Sequence, residues 1–243
     1  MACRFRLSGR AQHAEHAGLV LAYCHEGDDA RAKAATQHLA SQALGRAHRV
    51  YELAYRRYVR DLGAARHASL AVQWRLVIGL GNENALEAGL TLHRTYGTPL
   101  IPGSALKGVT AHYCHEIWGA ADPDYRAGGR YHTLMFGATQ DAGHITFHDA
   151  WIEPPSLATA LVPDTLTPHH AEYYTKGKAP TDFDDPMPVP FLSIRGMFYL
   201  AVECDGEGEE SRKWAELALS LVKEALQNWG VGGKTNSGYG RMR

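Results

Sequence analysis

The stretch ASLAVQWRLVIGL at residues 68–80 carries Leu70, Val72, Trp74, Leu76 and Ile78 at every second position. Successive side chains of a strand point to opposite faces, so this alternation reads as a half-buried β-strand. Beyond it lies a glycine-punctuated loop, residues 79–97; then Pro102, Gly103 and Ser104 open a segment with Leu106, Val109, Tyr113 and Ile117 at helical spacing, to about residue 118. Ser104 suits an N-cap or first-turn position. Residues 144–152 alternate again, Ile145 and Phe147 against Thr146 and His148, until Pro154 and Pro155 stop the run. Residues 191–203 read as a strand, 209–229 as an amphipathic helix on Trp214, Leu217, Leu221 and Leu226, and 237–242 as a short last strand. The order strand, helix, strand, strand, helix, strand is the split βαβ pattern of ferredoxin-like folds, so an α+β domain with one antiparallel sheet backed by two helices is expected.

Upstream, residues 28–62 have no proline, are rich in Ala, Leu and Arg, and are interrupted only by Gly45. They predict two helices or one bent helix, with Asp28 and Asp29 as candidate caps. Val50, Leu53, Ala54, Tyr58 and Leu62 recur at helical spacing and are expected to face the core, leaving Arg49, Arg56 and Arg60 on another face. Residues 1–27 surround the apolar patch Leu19 to Tyr23 without firm periodicity and are expected to be loosely ordered. The chain thus divides into an N-terminal helical extension, 1–67, and a domain over 68–243. A proline-rich insertion at about 154–190 carries His169, His170, Tyr173, Tyr174, Lys176 and Lys178 without apolar periodicity. Loops of that length are usually functional or disordered.

With 45% hydrophobic and 21% charged residues among 243, the composition is that of a folding globular chain. The formal net charge of -1 excludes a globally basic nucleic-acid binder, so any RNA site must arise from local clusters. Cys3, Cys24, Cys114 and Cys204 are scattered without C-x-x-C pairing, as expected of reduced cytoplasmic thiols. No stretch approaches the roughly 20 apolar residues of a membrane span.

The sharpest local motif runs from Gly230 to Arg241: Gly230, Val231, Gly232, Gly233, Lys234, Thr235, Asn236, Ser237, Gly238, Tyr239, Gly240, Arg241. Glycines let backbone N–H groups approach a phosphate, while Lys234, Arg241 and the hydroxyls of Thr235 and Ser237 add charge and donors. A Walker A loop would need glycine where Asn228 stands and a helix after Lys234 and Thr235, so nucleotide hydrolysis is excluded. A plain turn between the last helix and last strand is the competing reading. The turn from Pro99 into the helix at Pro102 to Gly108 offers a second anion site through Ser104, Lys107 and free N–H groups.

Taken together, Ile78 to Gly81, Pro102 to Gly108, Phe136 and Gly137, Asp149 and Ala150, and Gly230 to Arg241 resemble the RAMP superfamily of CRISPR-associated proteins over residues 68–243. The segments Pro168 to Tyr174 and Pro186 to Leu192 are similar to the sixth RAMP subunits of type III-B Cmr complexes, which also carry an N-terminal helical extension. The resemblance implies a modified RRM-like domain that holds the distal part of a guide CRISPR RNA and helps bind target RNA beside other RAMP subunits. Sequence would then be read by base pairing, and the protein would read backbone and shape. It also implies that the proline-rich insertion is a thumb pressed on the guide–target duplex, with Tyr173, Tyr174, Lys176 and Lys178 facing RNA. Anchoring of the insertion by the two tyrosines is the alternative.

Relatives that cut RNA use histidine acid–base chemistry or an aspartate in the loop after the first strand. Residues 79–97 contain Glu83, Asn84, Glu87 and His93 but no Asp, so no catalysis is expected. A metal-independent endoribonuclease that processes guide RNA, using His169 and His170, is the alternative. A metal-dependent hydrolase on His112, His115 and Glu116 would be a third reading, but the spacing is not H-E-x-x-H; no metal or cofactor is assigned.

Overall fold

In the computed structural model, residues 12–24, 27, 29–82, 86, 88–167, 177, 179 and 188–243 are described. Strand β9, Met197–Cys204, organises them, because it pairs along both edges. On one side lies β1, Arg66–Ala71, antiparallel, with Leu70 opposite Phe198. On the other lie β5, Ile145–Phe147, and β6, Ala150–Ile152, in line along the same edge. The run predicted at 144–152 is thus one strand interrupted at His148 and Asp149. The short β2, Leu100–Ile101, adds to β6, and Met242 bridges Val72 on the free edge of β1. Every pairing is antiparallel.

The sheet's faces follow from alternation along β9. Phe198, Leu200 and Val202 point into the main core, beneath α4, Gly103–Tyr113, and α6, Glu209–Asn228. Helix α6 buries Ala215, Ala218, Leu221, Val222, Ala225 and Leu226 as a stripe at three- and four-residue spacing, which is why it lies flat on the sheet. Helix α4 continues through a π-helical turn at Cys114–Trp118. Tyr199 and Ala201 face the other way and are covered by Tyr55, Tyr58, Val59 and Leu62.

That cover is the N-terminal extension. It comprises α1, Ala17–Tyr23, α2, Ala30–Arg46, and α3, His48–Asp61. Asp29 caps α2 by accepting the Ala32 N–H at 2.8 Å. The helices meet at Ala47, with Gly45 inside α2, so the expected break lies two residues further on. Two expectations are corrected. Residues 17–23, expected to be loosely ordered, are helical and bury Ala17, Val20 and Leu21. Val50 and Leu53 are exposed rather than core-facing. Tyr58 and Leu62 do face the body as expected, but in the earlier turns of α3 the inward positions are Tyr51 and Tyr55, because large aromatic rings carry the burial here.

The opening strand is shorter than its alternation predicted. Pairing with β9 stops at Ala71, and the chain bends at Gln73 and Trp74 before Leu76 bridges Ile194 of β8, Val189–Ile194. Trp74 is turned outward, 55% exposed. The predicted last strand is corrected too: residues 235–237 form a 3-10 turn, and only Met242 makes a bridge.

Residues 130–147, unassigned by periodicity up to 143, form α5, Arg130–Phe136, and a hairpin of β3, Gly137–Ala138, and β4, Asp141–Ala142, before β5. The insertion begins with a 3-10 helix, Pro154–Thr159, then β7, Leu161–Leu166, which pairs antiparallel with β8. Its ends are therefore a two-stranded ribbon.

Candidate nucleic-acid interface

After α6 the chain must reverse within a few residues to reach the edge of β1, and the glycine-rich loop makes that reversal. Gly230, Gly232, Gly238 and Gly240 take positive φ. At Gly232 a Cβ would overlap the carbonyl oxygen of Val77, so no other residue fits without displacing the strand. Lys234 also takes positive φ, at 59°, alone among the described non-glycine residues. An L-residue there costs roughly 1–2 kcal/mol, which glycine would avoid.

Most of the loop's N–H groups are already engaged. Gly233 donates to Val77 O at 2.8 Å, Val231 to Gly240 O at 3.0 Å, Ser237 to Lys234 O at 2.9 Å and Gly238 to Thr235 O at 3.0 Å. This corrects the expected cradle: Gly233 anchors the loop to Val77 and does not offer its N–H to a ligand. Tyr239 is corrected likewise, since its ring is buried and its hydroxyl donates to Asp164 Oδ2 at 2.7 Å. Burial first, and the Asp164 carboxylate second, push its phenol up to about 12.

What remains outward is a groove of about 910 Å³ between the loop and α4. Gly232, Thr235, Asn236 and Arg241 line one wall and Ala105, Gly108, Val109 and His112 the other, with Asn228 and Trp229 at its base. Asn228 is fixed by donating to the Tyr113 hydroxyl at 2.8 Å, and the His112 and Trp229 rings meet edge to face at 5.0 Å. Lys234 and Ser237 belong to the same loop but lie outside the groove lining. Gly108, Asn228 and Trp229 were not legible as site residues, and His112 was legible only as a candidate metal ligand. Their only signal is position: one helical face opposite the glycine loop.

Ser104 and Lys107 do not join this groove. They line a separate recess of about 460 Å³ with Phe136, Asp141, Thr146 and Phe147, because their face of α4 turns toward the β3–β4 hairpin. The α4 N-terminus is also partly occupied. Asp149 Oδ1 accepts the Gly103 N–H at 2.7 Å, which places a carboxylate where an external anion was expected. Gly103 fits closely against the break between β5 and β6, where a Cβ would overlap the Phe147 carbonyl oxygen.

The insertion meets the loop through the Tyr239 to Asp164 bond, Asp164 lying on β7. Tyr173, Tyr174, Lys176 and Lys178 fall outside the described residues, as do His169 and His170. The sheet face away from α4 and α6 is closed by α3: Tyr58 stacks on Trp151 with centroids 4.3 Å apart and planes within 6°, and its hydroxyl donates to Asp149 O at 2.7 Å. His112, His115 and Glu116, the residues of the metal-dependent reading, have both imidazole Nε2 atoms 3.8 Å from Glu116 Oε1 at solvent-facing positions of α4 and its π-helical turn, and among the described residues no group of three such side chains could hold a metal ion.

Comparison with known proteins agrees with this architecture. The sequence profile of the RAMP superfamily matches residues 75–243. The CRISPR system Cmr subunit Cmr6 of Pyrococcus furiosus is 30% identical over 256 aligned positions, covering 80% of this chain and 74% of the relative. A chain of the type III-B Cmr-beta complex bound to cognate target RNA superposes with a TM-score of 0.63 at 21% identity, over 87% of this chain and 70% of its own. The crystal structure of Cmr6 from Pyrococcus furiosus aligns at 30% identity with a TM-score of 0.46, over 73% of this chain and 97% of its own. The chain belongs to the RAMP superfamily of CRISPR-associated proteins, as a homologue of Cmr6.

Proposed function

We propose that this protein is a non-catalytic, RNA-binding subunit of a type III-B CRISPR effector complex, located in the cytoplasm. In this reading it holds the distal part of the guide CRISPR RNA, helps bind target RNA, and packs beside other RAMP subunits. The Cmr6 relationship supports the assembly. The sheet with α4 and α6 is read as a ferredoxin-like, modified RRM-like body over 68–243, with an N-terminal extension over 1–67 and a thumb over about 154–190. Strand β1 begins at Arg66, so the extension joins the body within that strand.

The observation that carries the RNA reading is Lys234 at φ 59° in a loop where glycine serves the other left-handed positions. A strained backbone that keeps a cationic side chain suggests selection for the charge. Arg241, on the groove wall, supplies a second cation, and Thr235 and Asn236 supply side-chain donors. Gly232 lines the same groove, while Ser104 and Lys107 form a separate phosphate contact, and Ser237 adds a hydroxyl to the loop. The described part of the first-strand loop, together with its sequence, contains no Asp, and this supports a binding rather than cleaving role.

The test is co-purification from cells that carry the whole CRISPR locus, followed by RNA affinity at increasing salt and incubation of labelled repeat RNA in EDTA and in divalent metal. A short RNA and RAMP partners are expected to accompany the chain, with no cleavage products. Each phosphate neutralised on single-stranded RNA contributes roughly 0.7 to the salt slope. Turnover lost on His169→Ala or His170→Ala would instead establish the metal-independent endoribonuclease.

A further inference from the structure

We infer that Trp74 is a stacking platform for a nucleobase of single-stranded or distorted RNA, at the edge of the glycine loop. This rests on the RNA-binding reading above and names a contact that reading lacks. Of the five tryptophans, the other four pack against the core; Trp74 is 55% exposed. A single exposed apolar side chain is ordinary, so its exposure alone decides nothing. What matters is how the backbone holds it there.

Val72 donates to Gly196 O at 2.9 Å and Leu76 to Ile194 O at 2.8 Å. Between those rungs Gln73, Trp74 and Arg75 stand opposite Arg195 alone, so the surplus residues form a bulge, a device that re-aims side chains. Both flanks of the bulge are tied to the glycine loop: Gln73 donates to Arg241 O at 2.9 Å, and Arg75 O accepts from Gly240 at 2.7 Å. The indole leans on Tyr239, centroids 4.9 Å apart at 59°, and Tyr239 is pinned by Asp164. The ring is thus presented in a fixed position, so little ordering entropy is lost when a flat partner settles on it.

The surroundings favour a nucleobase over a protein side chain. Arg75 follows Trp74 in the chain, the Arg241 backbone bonds to Gln73, and Lys234 lies in the same glycine loop, so the segments that hold the ring also carry cations for phosphates. That combination serves single-strand binding without sequence readout, since every base has a face to stack. Such tolerance fits a subunit whose specificity comes from guide pairing.

The experiment measures binding of a mixed-sequence single-stranded RNA oligonucleotide to the full chain across a salt series, for wild type, Trp74→Ala, Trp74→Phe, Trp74→Leu and the double variant Lys234→Ala with Arg241→Ala. Trp74→Ala is expected to lose roughly 5- to 150-fold in affinity, the range of one base–aromatic stack, with an unchanged salt slope. Phe should restore most of the loss and Leu little; circular dichroism and thermal melts confirm that each variant folds. The double variant is expected to flatten the slope. If Trp74→Ala binds RNA like wild type while the double variant does not, the platform is overturned and the RNA reading survives. If Trp74→Ala binds RNA normally but no longer co-purifies with neighbouring subunits, the ring docks protein, which also overturns it. Failure of the wild-type chain to bind RNA, alone and in the assembled complex, would overturn both.

Discussion

The hydroxyl of Tyr239 donates to Asp164 Oδ2 at 2.7 Å, joining the glycine loop to the root of the insertion. The phenol is buried and the acceptor is charged, so the bond lies in the range of about 1.5–3 kcal/mol given for hydrogen bonds to charged groups. Tyr239→Phe is expected to destabilise the fold by about 1–2 kcal/mol in urea unfolding. It should also loosen Trp74, whose ring leans on Tyr239 with centroids 4.9 Å apart. Asp164→Asn keeps an acceptor and should cost less.

A second joint lies at the start of α4, where Asp149 accepts the Gly103 N–H at 2.7 Å. Asp149→Ala removes a carboxylate from a helix N-terminus and should cost about 1 kcal/mol. Gly103→Ala is expected to be worse, above about 2 kcal/mol, because its Cβ would overlap the Phe147 carbonyl oxygen. Thermal melts of the two variants rank the effects; equal losses would show that the approach of α4 to the sheet is slack.

The register of α3 gives a third contrast. Tyr51 is buried, its hydroxyl donating to Ile152 O at 2.7 Å, whereas Val50 and Leu53 are 60% and 56% exposed. Tyr51→Ala should cost roughly 3–5 kcal/mol, as for other large buried aromatics. Val50→Ser with Leu53→Ser should stay within about 0.5 kcal/mol per site. A large loss from the serine pair would restore the register that apolar spacing predicted.

That case shows what sequence could and could not convey. The two long helices over 103–118 and 209–229 and the strand run over 144–152 were legible, because their periodicity matches the burial that the sheet imposes, whereas the single strand expected over 191–203 is two, Val189–Ile194 paired with β7 in a separate ribbon and Met197–Cys204 in the main sheet, parted at Arg195 and Gly196. Helix α3 was legible as a helix and, at Tyr58 and Leu62, in its inward face, but not in its first turns: there Val50 and Leu53 compete with Tyr51 and Tyr55, and propensity does not say that Tyr51 will meet Trp151. The bulge at Trp74 was hidden because an outward tryptophan leaves the alternation of its neighbours intact. At the site, the glycine loop was legible from its composition, while the commitment of Gly233 to Val77 and of the α4 terminus to Asp149 arises from contacts 156 and 46 residues apart.

Stability should fall on acidification. His93 sits against Tyr96 and Trp151, each 4.7 Å away between centroids, and burial lowers its pKa; His16 adds to the effect while Asp149 opposes it. Burial lowers His132 as well, with His115 adding and a backbone bond to Ala111 opposing. A folded-state pKa below the unfolded value means that the unfolded chain binds protons first. The contribution is therefore present above the ordinary imidazole value of about 6.5 and is lost as pH falls through the lower folded values. Melting temperatures from about pH 7.5 to about pH 5 should decline, and His93→Phe with His132→Phe should make the decline shallower. An unchanged slope would assign the acid sensitivity to other groups.

Lys234 allows stability and binding to be pulled apart. Its φ of 59° costs an L-residue roughly 1–2 kcal/mol, which glycine avoids, although glycine gives back about 0.5–1 kcal/mol through the greater freedom of its unfolded chain. Lys234→Gly is therefore expected to leave stability unchanged or raise it by up to about 1.5 kcal/mol. Lys234→Ala removes the charge while keeping the strain and should sit close to wild type. Both should weaken RNA binding to a similar degree and lower the salt slope by roughly 0.7. Urea midpoints and RNA affinity, measured on the same preparations, give the comparison. If glycine stabilises the chain and RNA affinity does not change, the lysine is not retained for phosphate, and the loop is a turn that happens to carry a charge.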